Sequence, residues 1–582
     1  MNRNYIGLAC TFHDPALAIV NARGELVFAE ASERPFQTKR AFNCLPDSYS
    51  HGVPIINKYC EPDADLVIAK TWSARAERRC RVAEMVRGLL APFISEAGPR
   101  AAKWGIYRYF LKSQSMSLSM ASESLRFGDA FSRHAAANAL APQKAGHKPA
   151  RRLTTTAFNH HLTHAAAACY TSPFREAVCA VVDGFGEGTT TAFYRYHEGR
   201  IDRLPQSRRS IGSLGFFYTW LCIACGFDPV KGEEWKVMGL APYGRCNEDV
   251  YKALKKKLIV DGLSVRRGPL FDQWVPGRDL PDCGPADLAC TGQLVFEETM
   301  IEMLNTLAKL GISDNLVLGG GCTLNSSCNG VILERTPFKN LHVFAAPADD
   351  GNAIGAAFLA YRHDHLDWKP RAASHTPYLG SSLSREALDN LVRFNSPQKV
   401  SHRPGEIHRV AAQALAEGRI IGWVQGRAEF GPRALGNRSI LADARRPDIK
   451  DQINGRVKFR EEFRPFAPSI LHQHGPEYFE PYQESPYMER TLRFRPEVVD
   501  KVPGVVHVNQ TGRLQSVTRE MNERYYLLIE EFHRLTGIPL VLNTSFNVMG
   551  KPIIHSVEDA VAVLHTTGLD ALAIEDYWVE KE

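Results

Sequence analysis

The alternation of apolar runs and polar breaks predicts an α/β chain whose chemistry sits at strand ends. Residues 5–10, 17–20 and 26–30 are short runs of the buried-strand kind, separated by polar turns at 11–16 and 21–25. Residues 45–150 follow a mostly helical pattern. Asn159, followed by His-His-Leu-Thr-His and four alanines, predicts a capped helix over 159–170. Strand patterns recur at 177–182, 193–196, 200–204, 315–318 and 341–345. A glycine-broken apolar helix is expected at 210–227 and an amphipathic one at 287–310. Pro, Gly and Ser then accumulate. The predicted division is a first domain over 1–367, a linker over 368–384 and a second domain over 385–582. In the second domain, 420–425 and 540–542 read as strands. The prolines and small residues of 420–470 predict an extended, non-helical path.

Several of these elements end in reactive side chains. His160 and His164, four apart, share one helix face, which suits a divalent metal that favours imidazole. His161 is three from His164, so spacing leaves open which pair ligates, and paired histidines also line helices without metal. Asp183 closes a strand nineteen residues beyond His164 and offers a third ligand; the glycines and threonines after it offer donors to phosphate. Residues 319–321 bring three glycines to a strand-to-helix junction, where backbone N–H groups approach a phosphate or adenine closely. Asp349 and Asp350 form a second acidic turn before a small-residue helix, and Glu234 and Lys236 precede a Gly-Leu-Ala-Pro turn. Ligands of α/β sheets bind beyond the strand ends, so these features read as one site for a metal and a nucleotide. Lys39 and Arg40 either reach an anion there or form a surface turn. Further on, Arg427, Arg433, Arg438, Lys458, Arg460 and Arg464 crowd a glycine-rich stretch without the helical spacing of a solvated face, which favours an anion site for phosphates. Arg513 and the turn at 543–547 add polar donors.

Composition narrows the class. A chain of 582 residues is too long for one core. It is 44% hydrophobic and 23% charged, with no run of about eighteen apolar residues and no signal-peptide core, so a cytoplasmic protein is expected. Thirteen cysteines in such a length are no disulfide framework, and the lone pair Cys222 and Cys225 reads as core packing. The net charge of +6 is concentrated in 72–155, where fifteen Lys/Arg face five Asp/Glu, a local +10. That block suits an anionic partner such as RNA or a solvated helical layer; arginines scattered among alanine and leucine favour the layer.

These residues resemble the NodU/CmcH family of carbamoyltransferases. The resemblance rests on His13-Asp14, the run His160 to His164, Asp183-Gly-Phe-Gly-Glu, Lys236-Val-Met-Gly-Leu-Ala-Pro, Gly320-Gly-Cys-Thr-Leu-Asn325 and Asp349-Asp-Gly. It also rests on Glu429-Phe-Gly-Pro-Arg-Ala-Leu-Gly-Asn-Arg-Ser, Lys458-Phe-Arg, Arg464-Pro-Phe-Ala-Pro and Asn543-Thr-Ser-Phe-Asn. It covers both ends and most of the chain. It implies an N-terminal ASKHA-type domain, related to actin, hexokinase and the threonylcarbamoyl transferases, and a C-terminal YrdC-like α/β domain. The implied activity is ATP-dependent O-carbamoyl transfer in natural-product tailoring. The C-terminal domain would make carbamoyl-adenylate from carbamoyl phosphate and ATP, with Mg2+. The N-terminal domain would pass the carbamoyl group to a hydroxyl of a small acceptor with the help of Fe2+, or of Zn2+ or Mn2+.

Carried over by motif, His160, His164, Asp183 and Asp349, rather than Asp350, form the metal shell. Arg433, Lys458, Arg464, Arg513, Asn543 and Ser545 hold carbamoyl phosphate and nucleotide. Gly320, Gly321, Asn325, Glu234 and Lys236 serve the nucleotide, and His13 and Lys39 sit at the acceptor and adenylate end. A homodimer with neither membrane nor nucleic-acid partner is the companion expectation. Two readings compete. A tRNA threonylcarbamoyl-type transferase would use the basic block for RNA. A non-catalytic ASKHA-type ATP-binding regulator would leave the arginine-rich stretch without a role. A hydrogenase-maturation enzyme is disfavoured because paired CxxC motifs are missing from the sequence.

Overall fold

The computed structural model describes residues 2–82, 85 and 152–581, except 11–12, 43, 80, 83–84 where they fall in that span, 209, 211, 269–279 and 395–399. Most of the basic block at 72–155, and most of the helical expectation for 45–150, lie outside the described residues.

Two five-stranded sheets repeat one topology. The first contains β1 (Arg3–Ala9), β2 (Ala16–Val20), β3 (Leu26–Ala31), β4 (Asp65–Lys70) and β5 (Leu153–Ala157), in the order β3-β2-β1-β4-β5. The second contains β6 (Glu176–Gly186), β7 (Thr189–His197) and β8 (Arg200–Arg203), and, after the small hairpin of β9 (Leu258–Asp261) and β10 (Ser264–Arg267), β11 (Asn315–Gly319) and β12 (Asn340–Val343). Its order is β12-β11-β6-β7-β8. In each sheet three antiparallel strands are followed by two parallel ones added on the other side of the first strand. This duplicated mixed sheet is the ASKHA-type architecture. β4 is a correction: it falls inside the stretch read as helical, because a short, mostly buried strand shows no period that separates it from a helix segment.

The helices His160–Tyr170 and Asn352–Asp364 pack against these sheets and against one another. Glycine makes the approach close enough. A Cβ on Gly355 would lie 1.9 Å from the Thr163 carbonyl oxygen, and one on Gly7 would lie 1.8 Å from the Ala353 carbonyl oxygen. The second helix therefore sits tightly between β1 and the histidine helix, which fixes Asp349, at its N-terminal end, opposite His164.

The remaining strands form one nine-stranded mixed sheet: β13 (Val400–His402), β14 (Ile421–Val424), β15 (Arg438–Ala442), β16 (Ala467–Leu471), β17 (Arg490–Arg493), β18 (Thr511–Val517), β19 (Leu540–Ser545), β20 (Ala571–Ile574) and β21 (Tyr577–Glu580). Its order is β13-β21-β20-β14-β15-β19-β16-β18-β17. The stretch 420–470 is not extended throughout. Residues Ile449–Ile453 are α-helical and Asn454–Lys458 form a π turn ending at Phe459 with φ 49°. Ile449, Ile453 and Val457 are fully buried, and this apolar spacing holds the turn against the core and delivers Lys458 inward.

The two halves share a core. The apolar cluster around Tyr5, Ala165 and Phe358 continues through Leu379 into Phe430, Leu435 and Tyr487. Hydrogen bonds cross the same seam: Arg34 to the Gly431 carbonyl at 2.7 Å, Arg427 to the Val27 carbonyl at 2.9 Å and Asn329 to the Glu489 carbonyl at 2.9 Å. Cys222 and Cys225 are buried free thiols in the core, as read from the sequence. Among the described residues no helix is long and apolar enough to cross a membrane.

Candidate active site

The histidine helix starts at Asn159, whose side-chain oxygen accepts from the Leu162 N–H at 3.2 Å. Its first turns aim His160 and His164 at two carboxylates. His160 Nε2 lies 3.3 Å from Asp183 Oδ2 and 3.6 Å from Asp349 Oδ1, and His164 Nε2 lies 3.9 and 3.3 Å from the same two atoms. One ligand atom from each of the four residues falls within 4.8 Å of all the others. Asp183 stands inside β6 rather than at its end. The pairing of β6 with β7 lapses between Val182 and Gly186, and this irregularity turns the carboxylate toward the imidazoles. The Gly321 N–H donates to Asp183 Oδ1 at 3.0 Å and fixes its orientation.

Two imidazole nitrogens and two carboxylate oxygens at this spacing fit a divalent ion of the iron, zinc or manganese kind. Electrostatics agree. Burial disfavours the imidazolium of His160, yet its bond to Asp183 and the charges of Asp349, Asp183 and Glu187 hold its pKa above the ordinary value. Burial would likewise raise the Asp183 carboxyl, but the bond from His160 and the neighbouring imidazoles keep it well below the usual range. The buried pair of carboxylates calls for positive charge, which a divalent ion held by these four residues would supply. Asn352 Nδ2 also lies 3.0 Å from His164 Nε2.

His161 does not join the cluster. Both its ring nitrogens are buried without a hydrogen-bond partner among the described residues, and burial, then His160, keeps it neutral. Asp350 does not join either. Its Oδ1 accepts from the Gly351 N–H at 3.0 Å, and burial, then the Asp14 charge, pushes its pKa up to about 8.

His13 Nδ1 is 2.8 Å from Asp14 Oδ2 and 4.0 Å from Asp349 Oδ2, which brings it to the edge of the His/Asp cluster. Arg40 lies 3.4 Å from Asp14 and 3.7 Å from Glu234. Asp14 and Arg40 adopt left-handed backbone, φ 55° and 59°, in the loops that carry them. Only adjacency in the chain marked Asp14 as a partner of His13.

On the other side, Lys458 Nζ meets Ser545 Oγ at 3.2 Å, the Asn547 carbonyl at 3.0 Å and Asn547 Oδ1 at 2.7 Å, and also the Ser545 carbonyl. Arg460 stacks 4.4 Å over Phe466 and donates to Asn454 Oδ1 at 2.9 Å. Burial, followed by neighbouring guanidiniums, drives Lys458 well below its ordinary value and Arg460 to about 9; burial takes Arg513 to about 10. Guanidinium does not give up its proton in practice, so these directions express cations held without enough anion. Asn547 and Arg460 complete this cluster; both stood in quoted motifs, yet only tertiary structure shows what they touch.

One cavity of about 1110 Å³ joins the two clusters. Its N-terminal wall carries His13, Asp14, Lys39, Asp183, Glu234 and Asp349, and its C-terminal wall carries Arg433, Lys458, Arg460, Arg464, Arg513 and Lys551. No described residue on the C-terminal wall is acidic. Several residues expected at the nucleotide are otherwise engaged. Gly320 turns away, donating to the Pro347 carbonyl, and Gly321 serves Asp183. Asn325 caps the helix Ser326–Arg335 and pairs with Gln293. Lys236 leaves the wall to bridge Glu233 and Glu461. Asn543 lines the cavity, but its amide N–H groups go to Ala434, Ser469 and Gln515. Arg427 and Arg438, part of the basic run, hold backbone carbonyls rather than the cavity.

Residues 4–358 match the family model for the carbamoyltransferase N-terminus and residues 412–581 that for the carbamoyltransferase C-terminus. Nodulation protein U of Sinorhizobium fredii (strain NBRC 101917 / NGR234) is 36% identical over 593 residues, covering 93% of both chains. Nodulation protein NolO of Bradyrhizobium diazoefficiens is 36% identical over 438 residues, covering 73% of this chain and 79% of its own. Among solved structures, full-length HypF in its phosphate- and nucleotide-bound form aligns with TM-score 0.36 and 11% identity over 63% of this chain and 56% of that one, a likeness too slight to carry weight. With both family models matched across nearly its whole length, this chain belongs to the carbamoyltransferase family and is a transferase enzyme.

Proposed function

We propose that the protein moves a carbamoyl group from carbamoyl phosphate, through carbamoyl-adenylate, to a hydroxyl of a small natural-product acceptor, at the expense of ATP. The observation that carries this reading is a cavity lined on one wall by Arg433, Lys458, Arg460, Arg464 and Arg513 and on the other by Asp183 and Asp349, the carboxylates of the His160, His164, Asp183 and Asp349 cluster. Residues 1–367 and 385–582 are then the transfer and activation domains, the second YrdC-like, and the setting is cytoplasmic, where both substrates are made.

Water cleaves carbamoyl phosphate to carbamate and phosphate. A carbamate oxygen attacks the α-phosphorus of ATP, and pyrophosphate leaves. Arg433, Lys458, Arg464 and Arg513 hold the phosphates and balance charge as it shifts between oxygens. The adenylate is a labile mixed anhydride, and passage within the cavity keeps it from bulk water. At the far end His13 accepts the proton of the acceptor hydroxyl, whose oxygen attacks the carbamoyl carbon and displaces AMP. Asp14, 2.8 Å from His13 Nδ1, stabilises the imidazolium so formed. A divalent metal held by His160, His164, Asp183 and Asp349 supplies Lewis acidity for the carbamoyl oxygen.

The test is incubation with carbamoyl phosphate and ATP in the absence of acceptor, following phosphate and pyrophosphate. Release of both that requires both substrates is expected; ATP turnover indifferent to carbamoyl phosphate would refute the reading.

A further inference from the structure

Arg464 faces the cavity from the C-terminal half, yet much of what holds it comes from the N-terminal half. Its guanidinium lies 4.3 Å over the ring of Trp235. Its NH2 is 2.6 Å from Glu461, and Glu461 in turn takes the ammonium of Lys236 at 2.7 Å. Lys236 is buried, and its second partner, Glu233 at 2.6 Å, belongs to its own segment. The helix Glu234–Leu240 therefore presents a ring and a charge to the segment 460–466. Packing reinforces the junction: the Phe227 and Phe463 ring centroids lie 6.0 Å apart. Arg464 is 6% exposed, and its Nε is buried without a hydrogen-bond acceptor among the described residues. A planar cation clamped on one face and one edge, with a donor still unspent, is set for an incoming anion.

We propose that Trp235 and Lys236 are positioning residues for the activation step: they fix Arg464, through its ring contact and through Glu461, so that the phosphate site of the C-terminal half is completed by the N-terminal half. The activation site is then built from both halves of the chain, with Arg464 held by Trp235 and, through Glu461, by Lys236. The inference rests on the proposed reading of the C-terminal cluster as the activation site.

The experiment measures steady-state phosphate and pyrophosphate release without acceptor for the wild type, Trp235→Ala, Trp235→Phe, Lys236→Met, Lys236→Arg, Arg464→Ala and the double variant Trp235→Ala/Arg464→Ala. A desolvated cation–π contact corresponds to roughly a tenfold effect. Trp235→Ala is expected to raise the KM of carbamoyl phosphate or ATP by about that factor, with Trp235→Phe and Lys236→Arg close to wild type and Lys236→Met impaired. The double variant should be no worse than Arg464→Ala alone, because the ring acts through the guanidinium. A loss in Trp235→Ala that lowers kcat at unchanged KM, or that adds in full to the Arg464→Ala loss, would overturn the proposal. Should the wild type release neither product, the proposed function fails first. The inference is then read by calorimetric titration with ATP, where the same weakening and the same non-additivity are expected and their absence overturns it.

Discussion

Glu30 offers a quantitative test of the seam that keeps the two halves around one cavity. Its carboxylate, 3% exposed on β3, takes the Ser381 N–H at 2.9 Å and the Ser381 hydroxyl at 3.1 Å, and it faces His51 Nε2 at 3.2 Å and His555 Nδ1 at 3.7 Å. Burial by itself would raise the pKa. The bond from His51, the charges of His555 and His51 and the Ser381 N–H overcome it and hold the group at about 2, against an ordinary 4.5. A folded pKa depressed in this way contributes stability that is complete above the unfolded value and is lost as pH falls from 4.5 to about 2. At about 1.36 kcal/mol per pH unit, the contribution is about 3 kcal/mol. The perturbation is Glu30→Gln, which keeps the shape and removes the charge. Urea unfolding of the two proteins at pH 5, 4, 3 and 2 gives the difference directly. The variant should be less stable by about 3 kcal/mol at pH 5, and the gap should close toward pH 2. A gap below about 1 kcal/mol at pH 5, typical of an exposed pair, or one independent of pH, would refute the reasoning.

Three further outcomes follow from the site. Gly355→Val puts side-chain atoms where the Thr163 carbonyl stands, so it should destabilise the protein by several kcal/mol, on the order of 1–3 for overpacking alone, and lower bound metal, read by thermal unfolding and elemental analysis. Asp183→Asn removes one anionic ligand and should weaken metal binding at least tenfold by competition with a chelator, with phosphate release without acceptor little changed. Arg460→Ala should raise the KM of a phosphate-bearing substrate by about tenfold, the scale of one charge-assisted hydrogen bond.

The cluster of His160, His164, Asp183 and Asp349 was legible because its signals are local: a helical i, i+4 histidine pair and acidic residues beside apolar runs are sequence patterns, although Asp183 proved to stand inside β6. Even there, spacing left His161 open, and it took the burial of both its ring nitrogens to set it aside. The arginine-rich wall was legible as an excess of cations without helical spacing. Its members were not separable, since Arg427 and Arg438 tie backbone carbonyls while Arg460 faces the cavity. Gly320, Asn325 and Lys236 sit in motifs beside the site but make structural bonds, a distinction that depends on partners far away in the chain. Trp235, between two residues singled out in the sequence, drew no notice because its partner Arg464 is 229 positions away. β4 was lost for the opposite reason: six residues, five of them buried, carry no decisive period.

The central claim is that one cavity holds two chemically distinct ends, and paired substitutions test it most directly. His164→Ala should lose the bound metal yet still release phosphate and pyrophosphate from carbamoyl phosphate and ATP without acceptor. Lys458→Ala, which removes the ammonium held by Ser545 and Asn547, should keep the metal and lose that release. Loss of both properties in either variant, with the protein still folded by circular dichroism, would contradict the division.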